Sequence, residues 1–396
     1  MKKLNVLISG ASVAGPVLAY WLHRHGFNPT IVERAPARRD GGYAVDFRGE
    51  AHLTVLRRMG ILADLERART GMSHMSYVNA KGRPVAKMPA DLFAGDLEIL
   101  RGDLTRILYA ATKDRAEYVF GDSITSLTED ADGVTVTFER GAPRRFDLVI
   151  GADGLHSNTR RLAFGPEERF VKHLGVYCAI FTTENHLGLD HTGHAYRTAN
   201  RLAALYSARN NTEAKAVFYF GSPDLDLDRR DVARQQAVLA ETFTGNGWES
   251  DRLLREMRYA PDFYFDSVGQ VRMDGWTRGR VALVGDAAYC PSSLSGMGSG
   301  LALVGAYVLA GELAAAHGDH RVAFARYEEE MRDYAAGCQK LGDGVAKLMV
   351  PGSRALAAFL NRYYKVMPYL PGASMASKMA RKAAEGIALR DYAVRS

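Results

Sequence analysis

Two strand–glycine–helix turns, far apart in one chain, restrict what this sequence can fold into more than any other feature. Near the start, the strand-like run Leu4–Ser9 enters Gly10-Ala-Ser-Val-Ala-Gly15 and then a helical run from about Val13 to His25. Far downstream, Arg280-Val-Ala-Leu-Val-Gly-Asp-Ala-Ala288 is followed by Gly296-Met-Gly-Ser-Gly300 and another helical run. A parallel βαβ opening needs only the first turn to hold a dinucleotide, so the second points to a longer ligand gripped at both ends. The fold class expected is α/β (α+β mixed), with a Rossmann-like dinucleotide domain intertwined with a β-sheet substrate domain and a helical C-terminus.

Each residue type has a physical reason to stand where it does. Gly10 permits the tight strand-to-helix turn, and Gly15 lets helix and strand pack closely, so that backbone N–H groups at the helix N-terminus can hold a pyrophosphate. Ser12 stands where a second glycine is usual, and with Ala14 it keeps the turn small. Glu33 ends the strand-like Pro29–Glu33 and is placed to accept a ribose hydroxyl, with Arg34 assigned to the same site. Asp286 follows the apolar run Val281–Gly285, at the ligand-facing edge of a parallel sheet, where it would bind a ribityl hydroxyl. Gly296, Met297 and Gly298 lead into the next helix, whose N–H groups would stabilise charge at a flavin's pyrimidine edge. The ligand expected is therefore FAD. The plainer alternatives are a surface glutamate ending a strand and a glycine loop capping a core helix.

The 396 residues suffice for more than one compact unit. The opening is βαβ, with helices expected at about Gly49–Met59 and Asp103–Thr112 and a strand at Leu97–Leu100. Short strands follow at Tyr118–Phe120, Ser123–Leu127, Val134–Glu139 and Leu148–Gly151, with Asp132-Gly133 expected to supply φ > 0 in a hairpin turn. From about Phe170 to Met273 the chain is β-rich, with a helix between Arg229 and Phe243. Long helices are expected at Leu301–His317 and Arg321–Cys338. The expected division is 1–72, 98–169 and 275–340 for cofactor binding, 73–97 and 170–274 for substrate binding, and 341–396 as a C-terminal helical segment.

The three ordered motifs can now be read together. Gly10–Gly15 with Glu33, Gly151-Ala-Asp-Gly154 followed by Ser157 and Arg160, and Gly285-Asp286-Ala-Ala-Tyr-Cys-Pro291 resemble the signatures of single-component FAD-dependent hydroxylases, the class of para-hydroxybenzoate hydroxylase and the tetracycline-inactivating monooxygenases. The resemblance covers about residues 1–340. It implies non-covalent FAD, reduction by a transient NAD(P)H, and transfer of oxygen from O2 through a flavin C4a-hydroperoxide to an aromatic or polycyclic small molecule. Asp153 and Gly154 are then linked to FAD and nicotinamide, Arg101 resembles the arginine reaching the ribityl–phosphate region, and Arg48 matches the loop beside the isoalloxazine ring. Tyr289 departs from the family, where histidine is common. The tail after Lys340 is too short for the thioredoxin-like appendage of some members.

Other chemistries lack their parts. The sequence has no Gly-x-Ser-x-Gly, His-Glu-x-x-His or Cys-x-x-Cys, and the three cysteines lack metal-type spacing. No metal is expected, and no acid or base can be selected among the histidines and tyrosines. A flavin reductase, a halogenase and a redox-inert flavin or ligand sensor remain alternatives on the same fold; the isolated tryptophans give no Trp-x-Trp halogenase signature. Tyr177, Phe181, Tyr206, Phe218 and Tyr219 suit either a flat apolar substrate or a sheet core. No leader or long uncharged apolar run is evident, which gives a cytoplasmic expectation. From Lys340 onward there are 10 Lys/Arg against 3 Asp/Glu, or +7 of the total +6, leaving −1 for the rest. That excess reads as a solvated helical face and not as a nucleic-acid site. Ala355–Leu370 reads as a helix bridging the two domains, with a membrane-surface helix as the alternative.

Overall fold

The runs Val6–Ile8, Leu148–Ile150 and Val281–Leu283 are apolar on both faces, and strands of this kind require cover on both sides. The computed structural model, which describes residues 3–38, 41–90, 94–367 and 375–392, places them side by side. The six-stranded sheet has the order Thr277–Arg278, Val281–Leu283, Leu148–Gly151, Asn5–Ser9, Asn28–Glu33, Glu117–Phe120, and every pair but the first is parallel. Ile8 stands opposite Ile31 on one side and Ile150 on the other. Val6, Ile8, Ile31 and Ile150 join a core with the helices Ala14–Arg24 and Gly298–Ala315. Their alternating neighbours Leu7, Val32, Val149 and Val281 pack on a three-stranded antiparallel sheet built from Ile124–Glu129, Val134–Phe138 and Arg144–Phe146.

Gly298–Ala315 is apolar on all sides, and among the described residues it alone is long and apolar enough to cross a membrane. Its 78% burial makes it the central helix of the core. Cys178, Cys290 and Cys338 are buried free thiols.

A seven-stranded sheet forms the second layer, in the order Tyr264–Val271, Val171–Thr183, Glu213–Gly221, Arg201–Ala208, Thr192–Thr198, His74–Val78, Pro84–Pro89. Residue parity sorts its two faces. Tyr177, Phe181, Phe218 and Phe220 pack under the helices Val232–Phe243 and Ser250–Met257. Ile180, Ala204, Val217 and their neighbours face the other way, toward Tyr43 and the late helices Val345–Met349 and Arg354–Val366. Helix Met375–Ala384 lies against helices Gly49–Met59 and His320–Gly342 of the first layer.

Several expectations need correction. The hairpin between Ile124–Glu129 and Val134–Phe138 contains no residue at positive φ. Instead Asp130 Oδ1 accepts the N–H groups of Asp132 and Gly133 at 2.8 and 3.1 Å, so a side chain makes the turn. Gly133 is needed for space, since a Cβ there would lie 2.6 Å from the carbonyl oxygen of Phe146. The structure adds elements that the sequence reading does not name: the hairpin His74–Val78 and Pro84–Pro89, the strand Thr192–Thr198, and the helix Ser250–Met257, which buries Ser250, Leu253, Leu254 and Met257 at helical spacing. Glu117–Phe120 is the edge strand of the main sheet.

Candidate functional site

Gly10 has φ +110°, and a Cβ on it would stand 2.4 Å from the carbonyl oxygen of Ala152. A Cβ on Gly15 would stand 1.9 Å from the carbonyl oxygen of Gly10. Both glycines are therefore obligatory for the strand-to-helix turn. The helix that follows, Ala14–Arg24, has no side-chain N-cap and no acid in its first turn, which suits an anionic ligand. Ser12 Oγ accepts Arg101 Nη2 at 2.8 Å, so the residue replacing the second glycine anchors a guanidinium over the turn. The Arg101 N–H donates to the carbonyl of Tyr43 at 2.9 Å. Glu33 accepts the N–H groups of Ala11 at 2.9 Å and Ala35 at 2.8 Å, fixing the end of its strand beside the turn. Arg34 is exposed next to it.

The late motif meets this turn directly. Gly285, at φ +66°, lies between the two core helices, where a Cβ would stand 3.2 Å from the Cβ atoms of both Ala14 and Ala302. Asp286 is thereby delivered to the mouth of the same groove, and its Oδ1 lies 3.6 Å from where a Gly298 Cβ would be. Burial pushes its carboxyl up, and a Cys290 hydrogen bond and the charge of Arg101 oppose that shift. Gly296 takes φ +64° and Met297 is fully buried, so Gly298 begins a helix that also lacks a side-chain cap and a first-turn acid. Arg48 Nη2 and Asp46 Oδ2 lie 3.4 and 3.5 Å from the Cβ position of Gly296, which brings Arg48 to the ring end of the groove.

The middle motif has a different geometry. The Asp153 carboxylate accepts Ser9 Oγ at 3.2 Å, the Thr159 N–H at 2.9 Å and Thr159 Oγ1 at 2.8 Å, and it also accepts Ser157 Oγ. It ties the loop after Leu148–Gly151 to the first strand. Gly154 has φ +83° and open space around it. Arg160, fully buried, donates to the carbonyls of Leu155 at 2.7 Å and Ala287 at 3.0 Å, so it links the middle motif to the Asp286 turn.

These positions form a groove with two uncapped helix N-termini, a guanidinium over the first turn, and a carboxylate between them. No Cβ fits at Gly10, Gly15 or Gly285 without displacing the walls, and the donor set matches a long dinucleotide with an anionic middle. The family model described as an FAD binding domain matches residues 3–340. A flavin-dependent monooxygenase of Legionella longbeachae is 43% identical over 350 residues, covering 87% of this chain and 90% of the relative. The chain is an FAD-dependent monooxygenase. The Mycobacterium tuberculosis protein Rv1260 is 51% identical over 336 residues, covering 83% of this chain and 90% of that one. The crystal structure of tetracycline destructase Tet(51) superposes with a TM-score of 0.87 at 37% identity, covering 99% of this chain and all of that one.

In this monooxygenase, residues that no sequence motif marks also stand around these turns. His52 is fully buried, its Nδ1 accepts the Arg48 N–H at 3.0 Å, and its Nε2 lies 2.7 Å from the Tyr334 hydroxyl. The proton therefore sits on Nε2. Its ring fills the space beside Gly300, where a Cβ would be 1.9 Å from it, and burial with the nearby Arg48 charge drives its pKa down to about 3. Asp46 and Glu98 stand opposite each other on the paired strands Ala44–Phe47 and Leu97–Leu100. Burial and the Asp46 charge push Glu98 up to about 7. Tyr289, in the usual histidine position, is buried, and its hydroxyl lies 2.9 Å from that of Tyr327, which donates to Leu283 O at 3.0 Å.

Of the five aromatic residues singled out for the β-rich region, Tyr177, Phe181 and Phe218 belong to the core under the helices. Tyr206 and Tyr219 lie on the opposite face of the sheet, where Tyr43 and Tyr264 join them. Tyr206 Oη accepts the Ala44 N–H at 3.3 Å, and the Tyr43 and Tyr264 ring centroids are 6.3 Å apart.

Proposed function

We propose that this monooxygenase hydroxylates an aromatic or polycyclic small molecule held between the groove and the Tyr43, Tyr206, Tyr219 and Tyr264 face, with NAD(P)H as reductant. The tyrosine-lined face over the cofactor groove carries this reading, because flat rings and scattered hydroxyls suit a planar substrate with oxygen substituents. Bound FAD would supply the electron transfer and oxygen activation. The overall balance is substrate, O2, NAD(P)H and a proton giving hydroxylated substrate, water and NAD(P)+.

The chain's own tasks follow from its geometry. Gly10, Ser12, Ala14, Gly15, Glu33, Arg34 and Arg101 would hold the adenosine and pyrophosphate end. Asp286, Gly296, Met297, Gly298 and Arg48 would hold the ribityl and ring end, with Asp153 and Gly154 supporting the loop between. A proton path also leads away from the substrate face. Tyr264 Oη donates to Asp266 Oδ2 at 3.0 Å, Asp266 Oδ1 lies 2.9 Å from His156 Nε2, and His156 Nδ1 lies 3.0 Å from Glu167 Oε1. A phenolic or enolic substrate proton would pass to Tyr264 as the Tyr264 proton moves to Asp266 and on to Nε2 of neutral His156, whose Nδ1 proton leaves for solvent.

The test is incubation of the FAD-loaded protein with NADH or NADPH, 18O2 and a panel of tetracycline-like and phenolic compounds. The expected result is substrate-stimulated NAD(P)H oxidation and a product bearing one 18O atom. Nicotinamide oxidation with no labelled product from any compound counts against hydroxylation.

A further inference from the structure

Helix Arg354–Val366 has two apolar faces, and among the described residues only one is covered. Ala357 and Leu360 are buried against the substrate sheet, and Tyr364 lies 5.3 Å from the Tyr77 ring. The Arg197 guanidinium stacks on both rings, 4.4 and 5.0 Å from their centroids, and fastens the helix there. On the outer side, Leu356, Phe359, Tyr363 and Val366 are 41%, 64%, 40% and 47% exposed. Their 3-4-3 spacing makes one continuous stripe. Leu348 and Met379, on the flanking helices, are 50% and 57% exposed.

Charge indicates what covers the stripe. Between Asp343 and Glu385 the sequence has no acidic residue and seven Lys/Arg, among them Arg354, Arg362 and Lys365. These three are exposed, and no carboxylate pairs with them among the described residues. A second copy would present the same cations and be repelled. A nucleic acid would satisfy the cations and leave Leu356 and Val366 in water. An anionic bilayer satisfies both faces, taking Leu356 and Phe359 below the headgroups and the cations among them.

We propose that helix Arg354–Val366 docks the protein on an anionic lipid surface, the alternative that the sequence offers to a helix only bridging the two domains. The inner side of the same helix contributes Tyr364 to the cluster containing Tyr206 and Tyr219, so docking sets the substrate cleft against the lipid. This surface is independent of the hydroxylation reading.

The test is co-sedimentation of the full-length FAD-loaded protein with vesicles of phosphatidylglycerol and phosphatidylcholine, and with phosphatidylcholine alone. Binding is expected to the mixed vesicles and to weaken with salt. Leu356→Ser with Phe359→Ser should reduce the partition coefficient about tenfold or more, and Arg354→Glu with Lys365→Glu similarly. Unchanged flavin content and NAD(P)H oxidation in vesicle-free buffer show that the variants are folded. No binding to the mixed vesicles at low salt overturns the proposal, as does binding that the apolar variant leaves intact. Light scattering that shows a dimer dissociated by that variant, or tighter binding to duplex DNA than to vesicles, assigns the stripe to another partner and also overturns it.

Discussion

Gly285 stands so close to Ala14 that a Cβ built on it would lie 3.2 Å from the alanine Cβ, and equally close to that of Ala302. This contact joins the first glycine turn to the last and sets the width of the groove. Gly285→Ala adds that Cβ at φ +66°, where L side chains are strained, and wedges the two core helices apart. FAD affinity is expected to fall by about tenfold or more, which corresponds to about 1.4 kcal/mol. Flavin fluorescence titration of the apoprotein measures it, and an unchanged Kd would show that the groove does not depend on this contact.

His52 tests how the ring-end loop is held. His52→Ala removes the acceptor of the Arg48 N–H and the partner of the Tyr334 hydroxyl, and opens a cavity beside Gly300. A loss of about 2–4 kcal/mol in denaturant unfolding is expected. The pH dependence has a definite sign. With the folded pKa near 3 and the unfolded value near 6.5, the unfolded state binds more protons between these limits. His52 therefore costs stability as pH falls below about 6.5. The variant should lose that part of the acid sensitivity, and an unaltered slope would show that the ring titrates normally.

Much of this site was legible in the sequence because glycines in a strand–helix turn leave a local signature. Gly10, Gly15, Gly285 and Asp286 come from contiguous motifs, and the structure brings them together. His52, Asp46 and Glu98 left no such trace. Each lies on a separate short element, and burial against Gly300 or across a two-strand pairing is settled only by tertiary packing. The aromatic residues were ambiguous for a related reason. Alternation shows that a strand has two faces, but here the helices Val232–Phe243 and Ser250–Met257 cover one and Tyr43 with the late helices covers the other, so both faces are apolar. The turn at Asp132-Gly133 misled because dipeptide preference says nothing about a carboxylate at Asp130.

Glu98 gives the opposite pH dependence to His52. Its folded pKa of about 7 exceeds the ordinary 4.5, so the folded state binds more protons between these values and stability falls as pH rises through them. Glu98→Gln removes the repulsion with Asp46 while keeping an oxygen for Thr70. At pH 8 the variant is expected to be more stable by about 1–3 kcal/mol, since each tenfold change in proton affinity on folding is worth about 1.4 kcal/mol. Its stability should change little between pH 5 and 7. Urea melts at several pH values decide it, and a variant less stable at pH 8 would contradict the assignment.

The proton path from Tyr264 makes the sharpest mechanistic prediction. Burial alone would lower the pKa of His156, but hydrogen bonds to Asp266 and Glu167 outweigh it and hold the imidazole above its usual value. Arg229 pairs with Glu167, and Arg160 lies 3.7 Å from the same carboxylate, so the imidazole faces two acids, of which Glu167 is held by two cations. Replacing Glu167 with Gln removes one acid and leaves the Asp266 acceptor in place, and the imidazole pKa should drop. The rising limb of kcat against pH should then move to lower pH. His156→Gln should remove the limb and lower product formation by on the order of tenfold to a hundredfold, within the range of acid–base contributions, while FAD affinity stays unchanged. A structural bridge between the layers predicts something else: both variants would lose stability and keep the wild-type pH profile. Measuring kcat for product from about pH 5.5 to 9, a window that brackets the imidazole's titration, beside the FAD Kd separates the two, because only a path that carries protons moves the limb without loosening the cofactor.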